Sequence, residues 1–265
     1  MIIKDIIKIF EAEFPTEYAF DGDNVGLLIG DEAADVTKVL ATCDVDIGVV
    51  REAIACGANL IVSHHPLMFH KTNRLTESNP EQSAIRLMIS NGISHYAAHT
   101  NLDTAPGGLN DLMASLLGME DTTVAEPEGE DDRGVHGYGR ICTLKESLTL
   151  KELMDRVISV FGADGLRYTG SPDDKVTKLA VNTGGGAGII DTCIAAGCDT
   201  LITGDVKYNA YRDARENGMN IVDIMHFDSE HIAMDLFESW FARKLPELEV
   251  IKSRANTNMI KSYSV

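Results

Sequence analysis

The feature that most constrains this sequence is an apolar run, residues 60–62, that ends abruptly in two adjacent histidines. The run and its end read Leu60-Ile61-Val62-Ser63-His64-His65-Pro66. A parallel strand buried on both faces has this continuous apolar character, and α/β sheets bind ligands beyond the carboxyl ends of such strands. Because neutral imidazole is the commonest protein metal ligand, the pair is a candidate metal site. For an isolated pair, ordinary loop histidines remain the alternative.

Two later apolar runs end in residues of the same chemical kind. Residues 93–98 lead to His99, with Asp103 four positions further on, and residues 220–224 lead to His226, with Glu230 four positions further on. A helix that begins near His226 would place the side chains of His226 and Glu230 on one face. If the helix begins later, at Ser229, a turn is needed to bring the two side chains together. Each residue also has an ordinary alternative as a turn former, a helix cap or a first-turn acid. Because three strand ends repeat the pattern, we predict a metal site.

Alternating strand and helix patterns predict an α/β fold of two domains. We expect mixed or largely parallel sheets, with the metal site at the carboxyl ends of the strands. Residues 120–134 are rich in Asp and Glu and poor in apolar residues, so we predict a solvated loop or linker there. We therefore assign residues 1–125 and 226–265 to a metal-binding domain and residues 126–225 to a second domain.

Charge, cysteines and hydropathy exclude several classes of function. The net charge of -18 opposes binding to a phosphate backbone, which argues against a nucleic-acid partner. The five cysteines are widely spaced without a C-x-x-C pair, which argues against a disulfide framework and a cysteine zinc site. No apolar stretch approaches the ~20 residues of a membrane-spanning helix. The N-terminal residues also lack a signal-peptide pattern, so we expect a cytoplasmic protein.

A run of glycines in the second domain has two interpretations. Residues 184–188 read Gly-Gly-Gly-Ala-Gly between a predicted strand and a predicted helix. Backbone amides at such a position can hold a phosphate, but the run matches no nucleotide-binding motif and a tight turn explains it equally well. Asp205, after a further predicted strand, has a helix cap as its simplest interpretation.

The chemistry of the candidate ligands limits the metal. They are imidazoles and two carboxylates with no thiolate, a set that suits zinc, iron or manganese. This set exceeds the three protein ligands of one open catalytic zinc. A carboxylate can bridge two ions that hold a hydroxide between them. We therefore predict two divalent metal ions per chain, with Asp103 or Glu230 as a bridging ligand.

Four segments resemble the signatures of one family. They are Ser63-His64-His65-Pro66-Leu67-Met68-Phe69, Ala98-His99-Thr100-Asn101-Leu102-Asp103, Thr203-Gly204-Asp205-Val206-Lys207-Tyr208 and His226-Phe227-Asp228-Ser229-Glu230. The family is that of the GTP cyclohydrolase 1 type 2 homologues, also called Nif-like dinuclear-metal hexameric proteins. Asp23-Asn24-Val25-Gly26-Leu27 and Gly137-Tyr138-Gly139-Arg140 also resemble it. The resemblance covers nearly the whole chain, in order.

The resemblance implies two α/β domains, two metal ions per subunit and a homohexamer. It implies that the metal ligands are His64, His65, Asp103, His226 and Glu230. His99 would then be a neighbouring acid/base group and the candidate catalytic residue. The sequence departs from the family pattern at Asn209, where members commonly carry His, and at Met225, where they commonly carry Gly.

The function expected from these features is a dinuclear metal-dependent hydrolase, similar to GTP cyclohydrolase 1 type 2. Its substrate would be a small nucleotide-like or phosphorylated molecule, and His99 would transfer protons. Two alternatives remain at this point. One is a phosphoesterase, and the other is a non-catalytic, metal-binding, ring-shaped scaffold or interaction protein.

Overall fold

The computed structural model describes residues 1–263, and the strands in this part of the chain are numbered β1 to β11. Their bounds are β1 Gly26–Ile29, β2 Lys38–Thr42, β3 Leu60–Ser63, β4 Ser94–Ala97, β5 Thr123–Asp131, β6 Gly134–Thr149, β7 Arg167–Tyr168, β8 Lys175–Val181, β9 Thr200–Thr203, β10 Asn220–Asp223 and β11 Glu249–Lys252.

The helices in the same part of the chain are numbered α1 to α10. Their bounds are α1 Ile3–Glu11, α2 Ile47–Cys56, α3 Pro80–Ser90, α4 Thr100–Thr104, α5 Leu109–Leu116, α6 Leu150–Phe161, α7 Ile190–Ala195, α8 Tyr208–Glu216, α9 His226–Glu230 and α10 Ala233–Lys244. Short 3-10 helices cover Thr16–Tyr18 and Gly186–Ile189. None of the helices in residues 1–263 combines the length and the apolar character needed to cross a bilayer.

The chain divides into two compact units. The first contains Met1–Ala105 and Ala233–Thr257, and the second contains Pro106–Ile232 and residues 258–263. Residues 106–125 and 226–232, which the sequence analysis assigned to the first domain, therefore lie in the second unit. The first boundary lies at residue 105 rather than 125 because α5 packs against β6 and β8. Asp111 on α5 also forms an ion pair with the buried Arg140 on β6.

The sheet of the first unit brings several strand ends to one edge. Its strand order is β1-β4-β3-β2-β11, with β1 antiparallel to β4 and the other pairs parallel. Thr42 on β2 pairs with Ser63 on β3, and Ser63 pairs in turn with Ala97 on β4. Since these three parallel strands end in register, the residues that follow them emerge side by side.

The helix that joins β2 to β3 has a capping residue at each end. The Asp46 carboxylate accepts a hydrogen bond of 2.8 Å from the Val49 amide at the start of α2. Gly57 ends α2 with φ of 76°, a left-handed conformation that glycine adopts at low cost. Because β2 and β3 pair in parallel, β2, α2 and β3 form a β-α-β unit.

The sheet of the second unit has the strand order β5-β6-β8-β9-β10-β7. Its central strands β8, β9 and β10 are parallel, and the outer pairs are antiparallel. The segments that follow β8, β9 and β10 therefore leave the sheet at one edge. Two mixed sheets with associated helices confirm the predicted α/β fold.

The prediction of a solvated loop over residues 120–134 is wrong, because Thr123–Asp131 forms strand β5. β5 pairs with β6 and lies at the edge of its sheet, and all its residues are exposed or half-buried. An edge strand accommodates a run of charge because it has one bonded neighbour and a solvated side. The pairing shifts between Pro127 and Gly129, and proline is tolerated at such edge positions.

Candidate metal centre

Three histidines converge at the strand ends of the first unit. His64 and His65 follow β3, and His99 follows β4. Each offers a ring nitrogen within 4.8 Å of those of the other two. Their ring centroids lie 5.0 to 5.4 Å apart, with the rings tilted or edge-to-face rather than stacked. The three imidazoles are therefore close enough together to belong to one site.

Hydrogen bonds at Nδ1 orient the two adjacent histidines. Nδ1 of the fully buried His64 lies 2.9 Å from the carbonyl oxygen of Ala98. Because a carbonyl only accepts, His64 carries its proton on Nδ1 and its lone pair on Nε2. Nδ1 of His65 lies 2.7 Å from Oδ1 of Asp44, which follows β2. Such carboxylate–histidine pairs are typical of metal ligands, since the partner fixes the ring and strengthens the Nε2 lone pair.

His99 has the same arrangement with a buried carboxylate. Its Nδ1 lies 2.9 Å from Oδ1 of Asp23, and the amide and hydroxyl of Thr100 both donate to Oδ2 of Asp23. Burial alone would raise the pKa of Asp23, but the hydrogen bonds from His99 and Thr100 outweigh it and hold that pKa well below its usual range. Asp23 is therefore ionised at neutral pH and supports a proton on Nδ1 of His99.

A single helical turn carries Asp103 to the same cluster. Helix α4 begins directly after His99 and carries Asp103. The Asp103 amide donates a hydrogen bond of 3.2 Å to the His99 carbonyl. Its Oδ1 lies 3.8 Å from Nε2 of His64, and the residue is buried. The first unit thus brings together His64, His65, His99 and Asp103, as their positions at strand ends predict.

The second unit holds the other predicted pair. His226 and Glu230 lie one turn apart on α9, which begins at His226, so the one-face alternative is the one that the chain adopts. Nε2 of His226 lies 2.9 Å from Oε2 of Glu230, and Nδ1 lies 2.9 Å from Oδ2 of Asp205. Asp205 does not cap α8, whose N-cap residue is Lys207.

Backbone geometry brings Glu230 close to the glycine run. A Cβ added to Gly184, whose φ is 59°, would lie 2.1 Å from Oε1 of Glu230. The Gly184 amide donates to Oγ of Ser229 at 2.8 Å, and the Gly186 amide donates to Oγ1 of Thr203 at 2.9 Å. These bonds occupy the amides of Gly184 and Gly186, and the left-handed turn at Gly184 leaves room for Glu230.

The two departures from the family pattern lie in different environments. Asn209 is exposed in the first turn of α8. Met225 precedes His226 with φ of 70°, a conformation that glycine adopts at low cost and methionine does not. A glycine at this position would suit the observed backbone.

Sequence reasoning missed the carboxylates that orient the imidazoles. They are Asp23, Asp44 and Asp205. A signal was present, since Asp44 follows β2 and Asp205 follows β9, at further strand ends of the same kind. The four oriented imidazoles and the neighbouring carboxylates are chemically compatible with zinc, iron or manganese.

The chain is similar to several known proteins. It is 36% identical over 230 residues to a Clostridium perfringens protein named GTP cyclohydrolase 1 type 2 homolog, which covers 87% of each chain. It is 33% identical over 261 residues to a Lactococcus lactis protein of the same name, which covers 97% of this chain and 98% of the relative.

Solved structures and a family model agree with these relatives. A Bacillus cereus protein described as related to NIF3 shares 27% identity over 99% of both chains, with a TM-score of 0.90. A Staphylococcus aureus protein described as hypothetical shares 28% identity over 99% of both chains, with a TM-score of 0.91. A family model described as Duf34/NIF3 (NGG1p interacting factor 3) matches residues 1–259. The chain therefore belongs to the Duf34/NIF3 family.

Proposed function

We propose that this chain is a dinuclear metal-dependent hydrolase that holds two divalent ions, zinc, iron or manganese. The proposed ligands are His64, His65, Asp103, His226 and Glu230. The observation that carries the proposal is the common orientation of the imidazoles. In each one Nδ1 faces a carbonyl or carboxylate acceptor, which leaves Nε2 as the nitrogen that binds a metal.

His99 is the proposed proton-transfer residue. Two bound ions would lower the pKa of a water molecule and polarise the group under attack. With Nδ1 held by Asp23, His99 accepts a proton from the attacking water at Nε2 and forms an imidazolium that the carboxylate stabilises. The same nitrogen then returns the proton to the leaving group.

The proposed substrate is a small nucleotide-like or phosphorylated molecule. The names of the curated relatives support an activity similar to GTP cyclohydrolase 1 type 2. A ring-opening hydrolysis needs an activated water and a proton donor, which the proposed ions and His99 supply. We also propose that the chain assembles as a homo-oligomer, with a homohexamer implied by the family resemblance.

Metal content per chain tests the centre directly. We expect about two ions per wild-type chain, the number that a paired-ion site requires. Asp103→Ala and Glu230→Ala should both lose metal. Asp191→Ala, an exposed acid on α7, should retain it. Wild-type protein that binds little or no metal after incubation with zinc, iron or manganese would contradict the proposal.

Turnover separates the hydrolase from a metal-binding scaffold. The loaded protein is assayed with nucleotides and phosphoesters, and His99→Ala is compared with the wild type at equal metal content. We expect the variant to lose turnover by roughly 100-fold or more, the usual contribution of a positioned acid/base group. Fully loaded protein that turns over none of these compounds would favour the scaffold.

A further inference from the structure

An exposed aromatic side chain lies beside the histidine cluster of the first unit. Phe69 is 60% exposed, although burial of a phenyl ring away from water lowers the free energy. Its ring centroid lies 6.3 Å from that of His99 and 5.2 Å from that of His70, edge-to-face in both cases. The proposed proton-transfer residue and an exposed aromatic surface are therefore neighbours.

The backbone next to Phe69 is held in place. Leu67 and Met68 pack against the apolar core of the first unit, and Nδ2 of Asn24 donates a hydrogen bond of 2.6 Å to the Met68 carbonyl. Asn24 directly follows Asp23, which binds His99. One short turn thus anchors both the imidazole and the segment that carries the phenyl ring. The ring therefore follows directly on an anchored stretch of backbone.

We propose that Phe69 stacks against a planar aromatic ring of the substrate, so that the site takes a nucleotide-like molecule rather than a phosphorylated aliphatic one. This inference rests on the proposed function, which places the reaction beside His99. Stacking does not depend on which hydrogen-bond donors and acceptors the base carries, because every nucleobase has a flat π face.

Charge supports the same choice of substrate class. The chain carries a net charge of -18, so outside the field of the proposed metal ions the protein repels a phosphorylated molecule. A ligand with only a sugar and a phosphate has no apolar surface to offset this repulsion. A nucleobase brings such surface, and Phe69 offers the matching exposed ring.

Calorimetric titration with two probes that differ only by a base tests the inference. GMP and ribose 5-phosphate are titrated into the metal-loaded wild type, Phe69→Leu and Phe69→Trp. Leucine keeps an apolar side chain but lacks a flat ring, and tryptophan keeps the ring. The control is Ile89→Ala, which removes a similarly exposed apolar side chain from α3.

We expect wild type, Phe69→Trp and Ile89→Ala to bind GMP more tightly than ribose 5-phosphate. Phe69→Leu should bind GMP about 5-fold or more weakly than the wild type, the lower end of measured base–aromatic stacking, with ribose 5-phosphate unaffected. Equal GMP affinity in Phe69→Leu and the wild type would overturn the inference, as would a wild type that fails to bind GMP or prefers ribose 5-phosphate. Metal analysis of the same preparations reports separately on the proposed function.

Discussion

The two units build similar groups of proposed ligand residues in different ways. In the first unit, His64, His65 and His99 follow parallel strands that end in register, so ordinary sheet geometry brings them together. In the second unit, one turn of α9 presents His226 and Glu230, and Met225 at its start has a positive φ. The first group therefore depends on the sheet, whereas the second depends on a few residues of special backbone geometry. Substitutions should expose this difference.

The largest effect is expected for Gly184→Ala in the second unit. The added Cβ would lie 2.1 Å from Oε1 of Glu230 and would displace that carboxylate. We expect metal content to fall toward that of Glu230→Ala, and the left-handed backbone to cost about 1–2 kcal/mol of stability. Metal analysis and denaturant unfolding measure the two effects. Gly188→Ala is the matched control, because its Cβ meets open space. Equal metal content in the two variants would contradict this account.

Replacing the carboxylates that orient His65 and His226 compares the units directly. Asp44→Asn and Asp205→Asn keep the size of the side chain and remove its charge. Each should weaken metal binding by about 10- to 100-fold, since partners of metal-binding histidines have effects of this size. The loss should be larger at Asp44, whose side chain is 38% exposed, than at Asp205, which is 50% exposed. Competition with a chelator measures both affinities, and unchanged affinity in both variants would remove their assigned role.

A buried histidine on β4, His95, should make the stability of the protein fall at acidic pH. Burial lowers the pKa of His95 to about 3, and its Nε2 lies 2.7 Å from Oγ of Ser63, which in turn donates to the His65 carbonyl. Because the folded-state pKa lies below the unfolded value, the unfolded chain binds more protons between pH 3 and 6.5, and stability falls as the pH drops through that range.

Denaturant unfolding of metal-free protein at pH 7 and pH 5 measures this contribution. His95 should account for about 2 kcal/mol of the stability lost between these two values. His95→Leu should remove that part of the pH dependence. If the wild type and the variant lose the same stability, another group is responsible.

The smallest effect is expected for Met225→Gly in the second unit. A non-glycine residue at such a φ costs about 1–3 kcal/mol, whereas glycine adds flexibility to the unfolded chain that costs about 0.5–1 kcal/mol. We expect a net gain of about 1 kcal/mol in the free energy of unfolding, with metal content unchanged. Thermal or denaturant unfolding tests this, and a less stable variant would show that the Met225 side chain, which accepts from Arg167, outweighs the strain.

Local patterns in the sequence were sufficient to predict the alternation of strands and helices and the residues at the strand ends, but not the short helix α4. An apolar run that stops at a polar residue marks both the strand and its end, so His64, His65 and His99 could be named before their positions were known. The prediction for the acidic run at residues 120–134 was wrong because it also rested on a local pattern alone. Its local composition favours solvated loop, but β5 forms because β6 supplies a partner strand.

Only the tertiary structure decided the orientation of the proposed ligand residues and the division into units. Asp23 and His99 are 76 positions apart, and Asp205 and His226 are 21 apart, so no local pattern joins them. Packing of α5 against β6 and β8 likewise moves the boundary to residue 105. The sequence by itself determined which side chains can bind a metal, because that depends on their chemistry. Which nitrogen each imidazole presents depends on partners distant in the chain, and only the folded structure brings those partners together.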